Sequence, residues 1–371
     1  MRIIVVGAGK MGGDVGLRFL RAALDVTFFE RDTERRSAFA LKLQRGMRRA
    51  KGEGEHLGQA EVLQSVDDAG TYDVLYEAVD ESIAAKQAVI AEWAPRLAPA
   101  GLILTNTSSI LPSMIDPRCL GLHAFYPTAL TGFCEVIVPS DCPSERRLAT
   151  VALAARAGLK LIVQDEARAF AVNRLMLPVQ DWALRAVRNG ADPEAVDTAA
   201  GKAWPFWEPL AMIDAIGLDT VASAVAAYRS RMVPEESSSL VVLEDSLRIL
   251  VAAGKLGARV RDGIRHGAKV PLAAIESFSG LQPEGISPDL GHDFEVLFRN
   301  VCANALARHE MDHAGMIMAL SGLFGVSYRP ADGDLLNHEG REWCQRRAVE
   351  SGLSYWRPSR EGDVAAEAGL R

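Results

Sequence analysis

Through its first 165 residues the chain alternates short β-branched runs with helical patterns, and this alternation constrains its fold more than any other feature. Strands are expected at Arg2–Val6, Asp25–Glu30, Val62–Val66, Asp73–Ala78, Leu102–Thr105, Leu120–Ala124, Glu135–Val138 and Leu159–Gln164, with helices such as Thr33–Lys51 and Glu81–Leu97 between them. Strands separated by helices imply βαβ units and a mostly parallel sheet. Val, Ile and Leu dominate the runs, as burial on both faces requires. Beyond Asp165 the pattern becomes almost wholly helical. Ala169–Asn189 reads as one long helix stopped by Asn189-Gly190, and Asp192-Pro193-Glu194 as an N-cap, a proline at N1 and an acidic first turn. Residues 231–239 are expected as a polar loop, and 276–294, rich in Gly, Pro and Ser, as a linker. A further helical block follows, and the last dozen residues lack an apolar pattern.

Gly7-Ala8-Gly9-Lys10-Met11-Gly12 follows the first strand directly and opens a helical pattern. In the order strand, glycine turn, helix, second strand and acidic residue, this is the dinucleotide fingerprint of a Rossmann-type domain. The glycines permit close approach to a pyrophosphate, and the helix N-terminus offers unpaired N–H groups. Glu30 closes the second strand, where a carboxylate accepts hydrogen bonds from a ribose and repels a 2′-phosphate, so NAD is expected over NADP; Arg31 beside it acts in the opposite sense. A flavin site, or a glycine turn that binds nothing, would use the same motif.

The formal charge of −7 argues against general nucleic-acid binding. Five cysteines, without a CxxC, form neither a disulfide framework nor a zinc cluster. With no signal-peptide pattern and no apolar run long enough to span a bilayer, a cytoplasmic protein without membrane or nucleic-acid partners is expected. His309-Glu310-Met311-Asp312-His313 matches HExxH, but no convincing third ligand follows, so no metal is expected.

Two stretches carry a family resemblance. The first runs from Leu104-Thr105-Asn106-Thr107-Ser108-Ser109-Ile110 through Gly121-Leu122-His123-Ala124-Phe125-Tyr126-Pro127 to Glu135-Val136-Ile137. The second is Phe170-Ala171-Val172-Asn173-Arg174-Leu175, then Pro205-Phe206 and Asp214-Ala215-Ile216-Gly217-Leu218-Asp219. Across roughly residues 1–225 the chain resembles the 3-hydroxyacyl-CoA dehydrogenases. That resemblance implies NAD-dependent hydride transfer on a 3-hydroxyacyl thioester. It assigns His123 as general base, Glu135 as the carboxylate that orients it, and Ser108 and Asn173 as holders of the substrate oxygen. Such chemistry suits the residue types: an imidazole titrates near working pH, and a carboxylate on its other nitrogen fixes the tautomer. Hydroxyl and amide donors stabilise charge developing on oxygen. The resemblance also places Gly7, Gly9, Lys10, Met11, Gly12, Glu30, Glu81, Lys86 and Asn106 on the cofactor, Glu81 and Lys86 at its nicotinamide end. Lys42, Arg45 and Arg49 share one helix face, where coenzyme A or phosphopantetheine phosphates would meet them.

The chain departs from the family at Asp14, where a small residue is usual and a carboxylate would face either the pyrophosphate or solvent. It departs at Tyr126, which stands for Asn, and at 257–264, where only the glycines and one cation position of a longer motif survive. Substrate alternatives are therefore an acyl chain on a carrier protein or a free hydroxy acid such as carnitine or gulonate. A nucleotide-binding protein without catalysis, or a metallopeptidase, would be a different class. Residues 294–338 faintly repeat 170–219. The expected organisation is a dinucleotide-binding domain at 1–166, a helical substrate domain at 167–275 and a second, divergent helical domain at 276–371, possible tandem copies, in a monomer or homodimer.

Overall fold

The computed structural model describes residues 1–203, 208–258, 260–265, 289–308, 311–323 and 338–359. The chain divides into two compact units, Met1–Phe170 and Ala171–Arg371.

The first unit runs β1 (Arg2–Val6), α1 (Lys10–Arg21), β2 (Asp25–Phe29), α2 (Thr33–Gly52), β3 (Ala60–Val62), β4 (Tyr72–Glu77), α3 (Ile83–Trp93), β5 (Leu97–Thr105), α4 (Pro112–Ile115), β6 (Cys119–Ala124), α5 (Thr128–Thr131), β7 (Phe133–Val138), α6 (Ser144–Arg156) and β8 (Lys160–Asp165). The eight strands form one sheet in the order β3-β2-β1-β4-β5-β6-β7-β8. All neighbours are parallel except β6 and β7, which pair antiparallel. Successive side chains on a strand face opposite ways, and both faces are covered. Ile3, Val5, Val74, Tyr76, Leu104 and Leu122 pack on one side with Val15, Phe19 and Leu153 of α1 and α6. Ile4, Val6, Leu75 and Ile103 pack on the other against Val89, Ile90 and Trp93 of α3. This double burial is why the strands read as nearly continuous apolar runs. The order reverses between β1 and β4, which opens a crevice at their carboxyl ends, the usual ligand position in such sheets.

The second unit is helical among the described residues: α7 (Ala171–Arg188), α8 (Pro193–Ala203), α9 (Pro209–Ile216), α10 (Leu218–Arg229), α11 (Pro234–Ser239), α12 (Val241–Ala252), α13 (Leu290–Ala307), α14 (His313–Leu323) and α15 (His338–Ser351). Asp192 caps α8 by accepting the Ala195 N–H at 3.3 Å. α9 and α10 meet at a 100° bend on Gly217, whose φ is +109°. Among the described residues no single helix is long and apolar enough to cross a membrane.

Several expectations shift. Residues 231–239 contain the helix α11 rather than a polar loop: Pro234 at N1 and Glu235 and Glu236 in the first turn favour a helix start despite the polar composition. β3 ends at Val62 instead of beginning there. α3 begins at Ile83, so Glu81 precedes the helix. The described helices of 276–371 fall within the second compact unit. Phe294 of α13 lies 5.7 Å from Trp182 of α7, ring to ring, and α13 also packs on α8. Much of the 276–294 linker, the Pro205-Phe206 pair, residues 324–337 of the faint repeat and the final dozen residues lie outside the described residues. So do His309, Glu310 and the side chain of His313 from the HExxH match.

The surviving glycines of 257–264 have a structural cause. The Asp214 carboxylate accepts the N–H groups of Ile264 and Arg265, both at 2.7 Å. A Cβ on Gly263 would lie 2.2 Å from Asp214 Oδ1, so only glycine lets the loop close on that carboxylate.

Candidate active site

The glycine turn is shaped by contacts that exclude side chains. Gly7 has φ +92°, and a Cβ there would meet the Ala78 carbonyl oxygen at 2.5 Å; one on Gly12 would lie 2.0 Å from the Gly7 oxygen. Gly9, the N-cap of α1, faces open space, without a capping side chain or an acidic residue in the first turn. The N–H groups of Lys10, Met11 and Gly12 therefore lack helical acceptors, as an anion-binding helix start requires. The Met11 side chain packs on the core, which leaves its backbone as the group offered. Glu30 follows β2, and its carboxylate accepts the Asp32 N–H at 3.2 Å. Arg31 is held by Glu92 at 2.9 Å. These features fit NAD: amides for a pyrophosphate, a carboxylate at the end of β2 for a ribose.

Asp14 is partly buried and has a protein partner. It accepts the Thr128 N–H at 2.7 Å, while Arg18 donates to the Thr128 carbonyl. The turn after β6 is thus bound to α1, and Tyr126 from that turn stacks on Lys10 with its ring centre 4.1 Å from Nζ.

The antiparallel hairpin of β6 and β7 places His123 directly opposite Glu135. His123 Nδ1 lies 2.8 Å from Glu135 Oε2. Gln164 on β8 donates to Glu135 Oε1 at 3.0 Å. Glu135 is fully buried and His123 is 6% exposed. The rings of Phe125 and Phe170 flank the imidazole, at 4.4 and 5.5 Å between centres. Among the described residues Nε2 makes no hydrogen bond, whereas Nδ1 is engaged. A carboxylate that accepts from Nδ1–H keeps the neutral ring's proton there and leaves the Nε2 lone pair to take up or return a proton.

Asn106 ends β5's run into the site. Its Oδ1 accepts the Tyr76 hydroxyl at 2.6 Å and the Ala124 N–H at 3.2 Å, which ties this turn to the residue after His123. Burial, above all, pushes the Tyr76 phenol well above its ordinary value, so it remains a donor.

Ser108 sits on a turn organised by Glu81. Glu81 Oε1 accepts from Thr107 Oγ1 at 2.6 Å, Ser108 N at 2.9 Å, Ser109 N at 3.0 Å and Ser109 Oγ at 2.8 Å. Its other oxygen lies 3.3 Å from Lys86 Nζ. Burial raises the Glu81 carboxyl, but Lys86 and the Thr107, Ser109 and Ser108 hydrogen bonds outweigh it and hold the group below its ordinary value. Lys86 is 1% exposed. It donates to both oxygens of Glu77, at 3.0 and 3.1 Å, and to the Val79 carbonyl at 3.3 Å. Thr105 donates to Glu77 at 2.6 Å.

Asn173 belongs to the second unit, in the first turn of α7, and donates to the Tyr228 hydroxyl at 2.8 Å. Lys42, Arg45 and Arg49 lie exposed on α2, with Arg49 paired to Glu53 at 2.9 Å. Among the described residues no group of His, Cys, Asp and Glu side chains is arranged to hold a metal.

Sequence reasoning missed Gln164, Glu77 and Thr105. Each is a polar residue inside or closing a strand that should be apolar throughout, and that mismatch was the available signal.

Residues 2–167 match the NAD-binding domain of 3-hydroxyacyl-CoA dehydrogenase, and residues 170–266 match the C-terminal domain of the same enzymes. The chain belongs to the 3-hydroxyacyl-CoA dehydrogenase family. A probable 3-hydroxybutyryl-CoA dehydrogenase of Bacillus subtilis is 28% identical over 276 residues, 70% of this chain and 94% of that protein. The fatty acid oxidation complex subunit alpha of Pseudomonas syringae is 29% identical over 68% of this chain, which spans 37% of that longer protein. The crystal structure of 3-hydroxybutyryl-CoA dehydrogenase from Escherichia coli shares the fold over 100% of this chain and 99% of its own, with TM-score 0.76 and 18% identity. Membership in the 3-hydroxyacyl-CoA dehydrogenase family makes the chain an NAD-dependent oxidoreductase.

Proposed function

We propose that the protein interconverts a 3-hydroxyacyl thioester and its 3-oxo counterpart, with His123 as the acid–base residue. The observation that carries this reading is the buried His123–Glu135 pair, in which one imidazole nitrogen is tied down at 2.8 Å and the other makes no hydrogen bond among the described residues.

In the oxidising direction His123 Nε2 takes the hydroxyl proton, and Glu135 stabilises the imidazolium that forms; in reduction the proton returns along the same path. Gln164 holds the second Glu135 oxygen and so fixes the carboxylate's rotamer. Phe125 and Phe170 keep water from the ring edges, which strengthens each charge interaction there. Ser108 and Asn173 are assigned to the substrate oxygen. The backbone of Gly9 to Gly12, with Glu30, would hold NAD, whose nicotinamide accepts or donates the hydride when bound. Asn106 and Lys10 are assigned to the same cofactor, and Lys42, Arg45 and Arg49 to the phosphates of coenzyme A or phosphopantetheine.

Coenzyme A is the preferred carrier, because relatives named for 3-hydroxybutyryl-CoA align along nearly their full length. Of the departures from the family, Asp14 has a structural role, since it anchors the turn after β6.

Purified protein should consume NADH with acetoacetyl-CoA, more slowly with a carrier-bound acetoacetyl group, and least with free acetoacetate. Absence of turnover on all three, with NADH still bound, would leave a nucleotide-binding protein and sink the proposal.

A further inference from the structure

The glycine turn follows β1 and His123 lies on β6, and the sheet puts β4 and β5 between those two strands. Their axes are therefore roughly 14 Å apart, and small changes of twist add up along such a path. α1 makes a second, direct tie. Lys10, Asp14 and Arg18 recur every four residues and so share one face of that helix. All three meet the turn that joins β6 to β7. The Lys10 ammonium faces the Tyr126 ring, 4.1 Å from its centre. Asp14 accepts the Thr128 N–H at 2.7 Å. Arg18 donates to the Thr128 carbonyl and, at 3.4 Å, to its hydroxyl oxygen. Thr128 is buried, and its N–H, carbonyl and hydroxyl oxygen are all engaged by α1. The turn then closes on itself: Thr131 donates to the Phe125 carbonyl at 2.7 Å, and the Gly132 N–H to the Thr128 carbonyl at 2.9 Å.

We infer that Asp14 and Arg18 are positioning residues: they seat the β6–β7 turn on the helix that opens at the glycine turn, and thereby fix His123 relative to the nucleotide site. The inference rests on the proposed role of His123. The path from turn to imidazole is short. Phe125 opens the turn, and its ring lies 4.4 Å from the His123 ring, centre to centre. The strands on either side of the turn carry His123 and Glu135. Oxidation takes a proton from the hydroxyl oxygen and a hydride from the carbon bonded to it, so base and cofactor must be aimed at two adjacent atoms. A turn released from α1 lets Phe125 and both strand ends shift against the glycine turn. Two departures from the family, Asp14 and Tyr126, then belong to one assembly, because a small apolar residue at 14 would offer the Thr128 N–H no acceptor.

The test is steady-state turnover of acetoacetyl-CoA, direct NADH titration and thermal melting on wild type, D14A, D14N, R18M and H123A, with turnover measured well below each melting temperature. D14A and R18M should lower kcat by about tenfold to a hundredfold, the cost of a misplaced reacting group, while NADH affinity stays close to wild type. D14N keeps an oxygen for the Thr128 N–H and should recover most of the D14A loss. Should D14A fail to fold, the other two variants decide: R18M must lose kcat and D14N must keep it. Lower melting temperatures with unchanged kcat in D14A and R18M would make the contacts structural only and overturn the inference. A D14N protein as impaired as D14A would also overturn it, since the hydrogen bond would then not be what matters. Tighter NADH binding in both D14A and D14N, with kcat unchanged, would place the carboxylate against the pyrophosphate instead. A wild type without turnover sinks the proposed function itself, and an H123A that turns over normally removes the residue that α1 is inferred to position.

Discussion

Two buried side-chain pairs are rooted in the sheet of the first unit, and they are built for different ends. Glu77–Lys86 is saturated: both carboxylate oxygens meet the ammonium, and Thr105 and Val79 supply further donors. His123–Glu135 is saturated on one side only. Glu135 is held by the imidazole and Gln164, while Nε2 makes no hydrogen bond among the described residues. Burying charge is costly unless every partner is present. The first pair meets that requirement and becomes a strut. The second leaves one nitrogen unspent, and an unspent acid–base atom in a nearly dry setting can do chemistry.

The comparison is broken most sharply at His123. His123→Ala should lower kcat on acetoacetyl-CoA by about 10² to 10⁴, with NADH affinity close to wild type. Residual turnover within about tenfold of wild type would show that the two pairs do not differ in kind. Glu135→Gln should cost about a hundredfold or more, because an amide can donate to Nδ1 and select the wrong tautomer. If Glu135→Gln instead lowers the melting temperature while specific activity is unchanged, the hairpin pair is a strut as well.

At the strut the effect should fall on stability. Lys86→Met leaves Glu77 buried without its cation, which costs about 3–5 kcal/mol. The double variant Lys86→Met with Glu77→Gln should be more stable than Lys86→Met alone, since the stranded charge is gone. Denaturant titration of the variants checks this. A Lys86→Met protein as stable as wild type would mean that the pair contributes nothing to the fold.

The features legible in the sequence are those with a local cause. Strands such as Ile3-Ile4-Val5-Val6 announce themselves because both sheet faces are covered. The glycine turn follows a strand directly, and the His123 and Glu135 strands pair as neighbours across a short turn. What remained hidden depends on sheet order or on distant partners. Glu81 meets Ser109, 28 residues on, because β4 lies beside β5. Gln164 reaches Glu135 because β8 returns parallel to β7. Asp14 and Thr128 are 114 residues apart, and no helical pattern in α1 indicates that its carboxylate would cap a turn after β6. The α11 helix was obscured for another reason: serine-rich composition outweighed the proline and paired glutamates that start it.

Glu81 sits between the two pairs and gives the smallest and most diagnostic effect. Its side chain is 26% exposed, so its ionisation is partly screened by solvent. Burial raises its carboxyl, but Lys86 and the hydrogen bonds from Thr107, Ser109 and Ser108 win, and the folded value lies below the ordinary one. In the window between the folded and unfolded values the unfolded chain therefore binds more protons, and stability rises with pH. The contribution is complete above the unfolded value of about 4.3 and is lost as pH falls through the folded one. E81Q should accordingly show a shallower loss of melting temperature below about pH 4.5 than wild type. The two curves should run parallel between about pH 6 and 8, where the carboxylate is ionised in both states. An E81Q curve that parallels wild type through the acid range would mean that the Ser108 turn draws nothing from the charge. The turn would then be held by hydrogen-bond geometry alone, which an uncharged glutamine supplies in part.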